Sequence, residues 1–312
     1  MSPPGSVKLV LGTHLLGTPT LAGDTATTFL ETFHKFGHTE VDSAWRYPSE
    51  KFGESERVLG RAGPWVHIST KLTPPFDRAS ITSGIDSSLE RLNGKKIETL
   101  YLHLPDRDAS MLETLEAVDA AFQAGKFKRF GVSNFNPEEL KQMIEMCENK
   151  DLIRPTVYQG QYNLLARKGE EELFPLLRKH GIAFYAYSPA AGGMMTGNKV
   201  TREPGKDEGR WSEASPYGAA YRQDSIFAAA KAIGDEAAVH GITGHAAALR
   251  WCVYHSILDE KNGDAVIVGA SSVTQLEENV KITEEGRLPA ALVKVIEDVW
   301  PSVQAVAPWA WL

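Results

Sequence analysis

His38-Thr39-Glu40-Val41-Asp42-Ser43-Ala44-Trp45-Arg46-Tyr47 is the stretch on which the fold turns. Thr39, Val41 and Ser43 alternate with Glu40 and Asp42 at the period of two that a short strand requires. Gly37, just before it, suits the left-handed cap of a preceding helix. Asp42, Trp45, Arg46 and Tyr47 then fall where the strand runs out. A helix, a glycine, a short buried strand and a polar strand end together make one βα repeat. Taken alone, the carboxylate and the tyrosine read equally well as an N-cap and a core aromatic, so the rest of the chain must decide.

The repeat recurs in both directions. Apolar runs at strand length are Leu9–Gly12, Thr39–Ser43, Val66–Lys71, Thr99–His103, Arg129–Ser133, Val157–Gln159, Ala183–Ser188 and Ala265–Gly269. Helical patterns lie between them: Ile81, Ile85, Leu89 and Leu92 recur at helical spacing, as do Leu112, Leu115, Val118 and Phe122. Asn136-Pro137-Glu138-Glu139 is a helix start, with a side-chain cap, a proline in the first turn and acids against the dipole. Gly125 and Gly181 follow helices and precede strands, as C-cap glycines do. Strands separated by helices predict parallel βα units. That leaves an eight-stranded barrel or a doubly wound open sheet. The strand count and the length fit the barrel. No Gly-x-Gly-x-x-Gly turn follows the first strand, and Gly12 and Gly17 are too widely spaced to make one. The expectation is an α/β chain: a (β/α)8 TIM barrel forming a single domain over residues 1–312. A long loop, Thr196 to Tyr221, follows strand seven, and a C-terminal tail reaches the active-site rim.

Bulk properties narrow the function. The chain has 312 residues, a formal net charge of −7 and 42% hydrophobic residues, enough for a sizeable core. The acidic balance argues against nucleic acid and anionic membranes as partners. Cys147 and Cys252 sit in helix-like stretches without zinc spacing, so no metal site is expected and reduced thiols in a cytoplasmic protein are. The N-terminal MSPPGSVKLV lacks the apolar core of a signal peptide. No run of about 18 apolar residues is long enough to span a membrane.

In a barrel the site lies at the C-terminal strand ends. Those ends are polar here: Asp42, Lys71, His103, Ser133-Asn134, Gln159 and Tyr187-Ser188. Each has an ordinary explanation alone, such as a loop lysine, a core histidine or a helix cap. Together they are hard to explain as packing. A buried lysine must be paired, and Asp42 is its obvious partner.

These residues sit in motifs that resemble the aldo-keto reductases. The matching segments are HTEVDSAWRY with GESERVLG, ISTKL, LYLHLPD, AGKFKRFGVSNF, VYQGQYN, FYAYSPAAGGMMTG and IVGASSVTQLEENV, covering about Val7 to Val299. The pattern looks closest to the branch containing aflatoxin-aldehyde reductases. The resemblance implies a barrel, a nicotinamide cofactor extended over its rim, and reduction of carbonyls to alcohols. It places Asp42, Tyr47, Lys71 and His103 at the family's catalytic positions. The chemistry agrees. A hydride must reach carbon and a proton must reach the developing alkoxide. A tyrosine titrating near 10 gives up its proton reluctantly unless an ammonium such as Lys71 stabilises the tyrosinate. His103 would orient the carbonyl.

The same resemblance carries over cofactor positions. Ser133, Asn134 and Gln159 match carboxamide contacts, and Tyr187 the aromatic stacked on the nicotinamide. Ser188 and the Ala190–Gly193 stretch match the pyrophosphate approach. Gly269, Ser271, Gln275, Glu278 and Asn279 match the adenosine segment. Some branches place a lysine and an arginine there to grip a 2′-phosphate, where this chain has Gly269 and Gln275. The cations are then expected from Lys199, Arg202 or Arg210 in the loop after strand seven, with Arg210 first because its fork suits phosphate. That makes NADPH the expected reductant and NADP+ the product. The expected partner is a small-molecule carbonyl substrate, the chain being a monomer or homodimer. The chain ends in PWAWL without a cation. Trp309 and Trp311, with Trp45 and Trp211, would favour an aromatic or apolar aldehyde, unless Arg46 supplies a carboxylate anchor for a short acid-aldehyde such as succinic semialdehyde. Other readings left open are a non-catalytic nicotinamide-binding regulatory subunit and a metal-dependent barrel hydrolase. The second has only Asp42 and His103 to offer as ligands.

Overall fold

The structure, a computed structural model, describes residues 7–196 and 220–311. Eight parallel strands close a barrel in chain order: β1 Lys8–Gly12, β2 Glu40–Asp42, β3 His67–Leu72, β4 Ile97–Leu102, β5 Phe127–Ser133, β6 Val157–Gln161, β7 Ala183–Tyr187 and β8 Ala265–Gly269. The last strand pairs with the first, Gly269 beside Gly12. Helices among the described residues are α1 Gly23–Lys35, α2 Glu54–Gly60, α3 Arg78–Arg91, α4 Met111–Gln123, α5 Pro137–Lys150, α6 Leu173–His180, α7 Asp224–Val239, α8 Gly244–Tyr254, α9 Val273–Glu284 and α10 Ala290–Val303.

Local chemistry sets these boundaries. Asn136 caps α5 in a reciprocal box with Glu139, each side chain accepting the other's backbone N–H. Asp77 and Ser110 cap α3 and α4 in the same way from one side. Gly125 and Gly181 end α4 and α6 with positive φ, 71° and 65°, which favours glycine. Helices α3 and α4 turn Ile81, Ile85, Leu115 and Val118 onto the barrel. Each such side chain contributes about 1.5–3 kcal/mol by leaving water. Strand β8 has the expected bounds, while the other strands differ from the sequence expectation by one or two residues at an end, and two of these differences bear on the site. Strand β6 continues past Gln159 to Gln161 because Gln159, Gly160 and Gln161 all pair with β7. Strand β4 starts at Ile97, paired between Ile68 and Phe127, and ends at Leu102, which leaves His103 as the first residue beyond it.

Register carries side-chain direction across the sheet, since paired residues share a face. Asp42 pairs with Gly12 and Ser69, and Ser133 pairs with Gln159. Asp42 and Gln159 are hydrogen-bonded across the barrel, from β2 to β6, so this face is the interior. Beneath that level the interior is filled. Val10, Tyr101, Val157, Tyr185 and Ile267 form an apolar plug. Gly131 lies against it, where a Cβ would come within 2.5 Å of the Tyr101 ring. At the floor Lys8 donates to Glu40 and Tyr185, and Arg129 donates to both. The barrel is therefore closed below, and only its C-terminal mouth is open to chemistry.

Both cysteines are buried, Cys147 in α5 and Cys252 in α8. Burial pushes the Cys147 thiol up to about 12. No described helix is long and apolar enough to cross a membrane.

Candidate active site

Lys71 ends the inner face of β3 and is fully buried. Its ammonium donates to Asp42 Oδ2 at 2.6 Å, to the Ser43 carbonyl at 2.8 Å, and to the Tyr47 hydroxyl. The second Asp42 oxygen accepts from Gln159 Nε2 at 2.7 Å. Burial drives the Asp42 carboxyl upward from the usual carboxylate range, against the pull of Lys71 and Gln159. Burial acts downward on Lys71, yet Asp42 and Tyr47 hold its ammonium above the ordinary lysine value. Three acceptors around one ammonium make the charged pair the stable form, because neither charge is left unpartnered in the interior.

Tyr47 stands over this pair. Its ring lies 4.8 Å from Lys71 Nζ and 6.0 Å, edge-on, from the His103 ring. Burial pushes His103 well below the ordinary histidine range, and the positive charges of Lys71, Arg46 and His14 act the same way. The imidazole is therefore neutral at physiological pH, and its buried Nδ1 has no protein partner. Its backbone N–H donates to Leu72, which fixes the end of β4 against β3. A hydroxyl beside an ammonium, facing a neutral imidazole, can deliver a proton to an oxygen held between them.

Around the mouth the expected binding residues gather. Asn134, at φ 67°, donates to the His103 carbonyl and to Ser133 Oγ, both at 2.9 Å, and accepts from the Tyr187 hydroxyl. That ties the ends of β4, β5 and β7 into one polar edge. After Tyr187 the chain turns through Ser188 at φ 56° and a short 3-10 segment, Ala191–Thr196, containing Gly192 and Gly193 at positive φ. A Cβ at Gly193 or at Gly269 would meet no atom within 4 Å, so both backbones lie open to a close ligand. A groove of about 650 Å³ flanks this turn, lined by Met194, Met195, Phe227, Lys231 and Thr243 rather than by the tyrosine and lysine.

The far segment is more internally engaged than its sequence shows. Gln275 folds back to accept from the Ser271 N–H and hydroxyl. Asn279 is buried, donating to the Gly269 carbonyl while its oxygen meets His245 Nε2 at 2.7 Å. Glu278 is exposed. His245, on α8, has no strand-end signal in the sequence.

Of the substrate candidates, Trp45 packs on Phe52 with ring centroids 5.1 Å apart, and the Arg46 guanidinium lies 5.5 Å from that same ring. Both are exposed beside Tyr47. Trp309 and Trp311 stack on each other at 4.6 Å, with Lys168 over Trp309. The Ala310 carbonyl accepts from the Gln161 N–H, which anchors the tail at the end of β6, on the opposite side of the mouth from Trp45. Lys199, Arg202, Arg210 and Trp211 lie outside the described residues. Sequence reasoning missed His14, just past the end of β1, whose ring meets Tyr47 edge-on at 4.8 Å. Among the described residues no group of three or more His, Cys, Asp and Glu side chains is placed to hold a metal ion.

Comparison with known proteins gives this geometry a context. Residues 8–301 match the model of the aldo/keto reductase family. Aflatoxin B1 aldehyde reductase member 2 of Homo sapiens is 37% identical, covering 98% of this chain and 90% of that protein. Oxidoreductase sirO of Leptosphaeria maculans is 38% identical, covering 90% and 87%. Among solved structures, a glycerol dehydrogenase from Gluconobacter oxydans superposes with a TM-score of 0.74 over 95% of this chain and 93% of that one. At 24% identity it speaks for the fold.

Proposed function

Because this chain belongs to the aldo/keto reductase family, whose members are oxidoreductases acting on carbonyls, we propose that it reduces aldehydes to alcohols with NADPH, Tyr47 being the general acid. The observation that carries the reading is the buried Asp42–Lys71 pair directed at the Tyr47 hydroxyl. When bound, the cofactor supplies the hydride to the carbonyl carbon. The chain's own residues do the rest. Lys71 stabilises the developing tyrosinate, so Tyr47 releases its proton to the carbonyl oxygen at lower cost. Neutral His103 holds that oxygen through a hydrogen bond. Asp42 and Gln159 keep Lys71 charged and in place.

The rim suits an extended dinucleotide. Asn134, Ser133 and Gln159 present amide and hydroxyl groups beside the tetrad for a carboxamide, and Tyr187 supplies an aromatic face. The open backbone at Gly193, in the turn that follows Ser188 and Ala190, lets a pyrophosphate come close. Gly269, Ser271, Gln275, Glu278 and Asn279 border the adenosine end, with Lys199 or Arg210 as the grip on the 2′-phosphate. Arg210→Ala then weakens NADPH more than NADH, by about tenfold or more for a charge-assisted contact of roughly 1.5–3 kcal/mol. Fluorescence titration of the two cofactors reads this, and equal losses place Arg210 elsewhere.

We assign an aromatic or apolar aldehyde as the substrate class, on the exposed Trp45–Phe52 pair beside Tyr47. Trp309 and Trp311 serve as the opposite wall. A second reading, a short acid-aldehyde held by Arg46, rests on that guanidinium lying on the same side of the mouth as Tyr47. The deciding experiment compares catalytic efficiency for a benzaldehyde and for succinic semialdehyde, in the intact chain and after deletion of Pro308–Leu312. A preference for benzaldehyde that the deletion weakens supports the first reading. A preference for the acid-aldehyde, unchanged by the deletion and abolished by Arg46→Ala, supports the second.

A further inference from the structure

The proposed chemistry uses one imidazole, His103, but among the described residues a second, His14, also meets the Tyr47 ring. His14 follows β1, and its place is built rather than incidental. Gly12 pairs with Asp42, which brings the end of β1 level with the tetrad. Thr13 is buried, and both its N–H and its hydroxyl meet the Asp42 carbonyl, at 3.0 and 2.9 Å. That hydroxyl also lies 2.9 Å from Ser55 Oγ. The residue before His14 is thus fixed to the backbone of Asp42. The His14 ring meets the Tyr47 ring at 4.8 Å and 87°.

We propose that His14 is a titrating group coupled to Tyr47, and that its charge sets the ease of Tyr47 ionisation across neutral pH. The inference rests on Tyr47 being the general acid. A positive imidazole at this distance favours the tyrosinate, as any opposite charge within about 4–6 Å does. Among the described residues, the charged groups that share the space come from four elements. Asp42 on β2 is paired with Lys71 on β3 and held by Gln159. Arg46 on the loop after β2 and Lys71 are fixed cations, and with His14 they act against protonation of His103, just past β4. Glu54 of α2 packs on the loop after β1 at Gly17 and is matched by Lys51 and Arg57, at 3.1 and 3.5 Å. Asp42 and Glu54 are thus each matched by a cation, so a proton gained by His14 adds net positive charge beside Tyr47.

His14 acts through Tyr47 and is a positioning residue. Its half-buried place screens the effect, so the lower end of the range applies: about one pKa unit on Tyr47. With proton transfer about half complete in the transition state, that is roughly threefold in rate. The hydride-transfer rate should be higher when His14 is charged, and should fall as pH rises through the window in which an imidazole loses its proton, about pH 5 to 8.

The test uses the full-length chain and three proteins: the native one, His14→Gln and His14→Lys. Single-turnover oxidation of NADPH with a neutral aldehyde is followed against pH. The native chain should step down about threefold with rising pH, His14→Gln should lack the step and sit near the lower plateau, and His14→Lys should lack it and sit near the upper one. An ultraviolet difference titration of each protein against its own Tyr47→Phe counterpart reads Tyr47 directly, without cofactor or turnover. Tyr47 should ionise about one unit lower in His14→Lys than in His14→Gln. A step that survives in His14→Gln, or equal Tyr47 ionisation in the two variants, overturns the proposal. Absence of turnover in all three, with the Tyr47 difference intact, counts against the reductase reading and leaves the coupling standing.

Discussion

Replacing Lys71 with methionine separates stability from catalysis in a way that follows from the geometry. Lys71 is fully buried and Asp42 is 3% exposed, and they meet at 2.6 Å. Methionine keeps the length of the lysine stem but removes the charge. Asp42 is left with Gln159 as a side-chain partner, inside a barrel that admits little water. An uncompensated buried charge costs about 3–5 kcal/mol. For a chain of this size that is a fall in melting temperature of roughly 5–8 °C. The sign of the pH dependence follows. Burial already holds the folded-state pKa of Asp42 above its unfolded value, and without Lys71 it rises further. The folded protein then binds the extra proton at low pH and must give it up, or stay strained, as pH rises. The deficit should therefore be largest at neutral pH and shrink as pH falls toward the ordinary carboxylate range. Asp42→Asn added to Lys71→Met removes the stranded charge and should recover most of the lost stability while turnover stays absent. Thermal denaturation at several pH values, beside steady-state aldehyde reduction, measures both. Native-like stability of Lys71→Met at neutral pH, or recovered turnover in the double variant, would refute the charged-pair account.

Further outcomes follow from single sites. Gly131→Ala pushes a Cβ to 2.5 Å from the Tyr101 ring. It should cost about 1–3 kcal/mol through overpacking, read as a lower denaturation midpoint, and no loss means the plug is looser than drawn. His255 accepts the Leu288 N–H at 2.8 Å, and burial together with Arg287 and Arg250 holds it down at about 4 from the ordinary 6.5. A histidine depressed on folding supports the fold fully above 6.5, and this support is lost as pH falls from 6.5 toward 4. His255→Gln should flatten the stability curve over that window, and an unchanged slope would assign the acid sensitivity to other groups.

The barrel was legible because its βα repeat is written in local signals. Asn136 with Glu139, the glycines at 125 and 181, and the short apolar runs each state a boundary without reference to distant residues. The Asp42–Lys71 pair was legible for a physical reason: a lysine at a strand end inside a barrel needs an anion, and Asp42 ends the neighbouring strand. His14 was not legible, because its meaning comes from Tyr47, which reaches it only once β1 and β2 are paired. The engagement of Asn279 with His245 was hidden likewise, since α8 and α9 meet only in the folded chain. The extension of β6 to Gln161 depended on its pairing with Tyr187, a tertiary choice that propensity does not report.

The central claim is that Tyr47 delivers the proton. Its most direct test is single-turnover reduction of an aldehyde by Tyr47→Phe, with cofactor affinity measured in parallel. Removal of the hydroxyl alone should lower the hydride-transfer rate by roughly 10²–10⁴ while leaving NADPH affinity near that of the native chain. A Tyr47→Phe protein that keeps most of its rate would contradict the account and move the acid to another group.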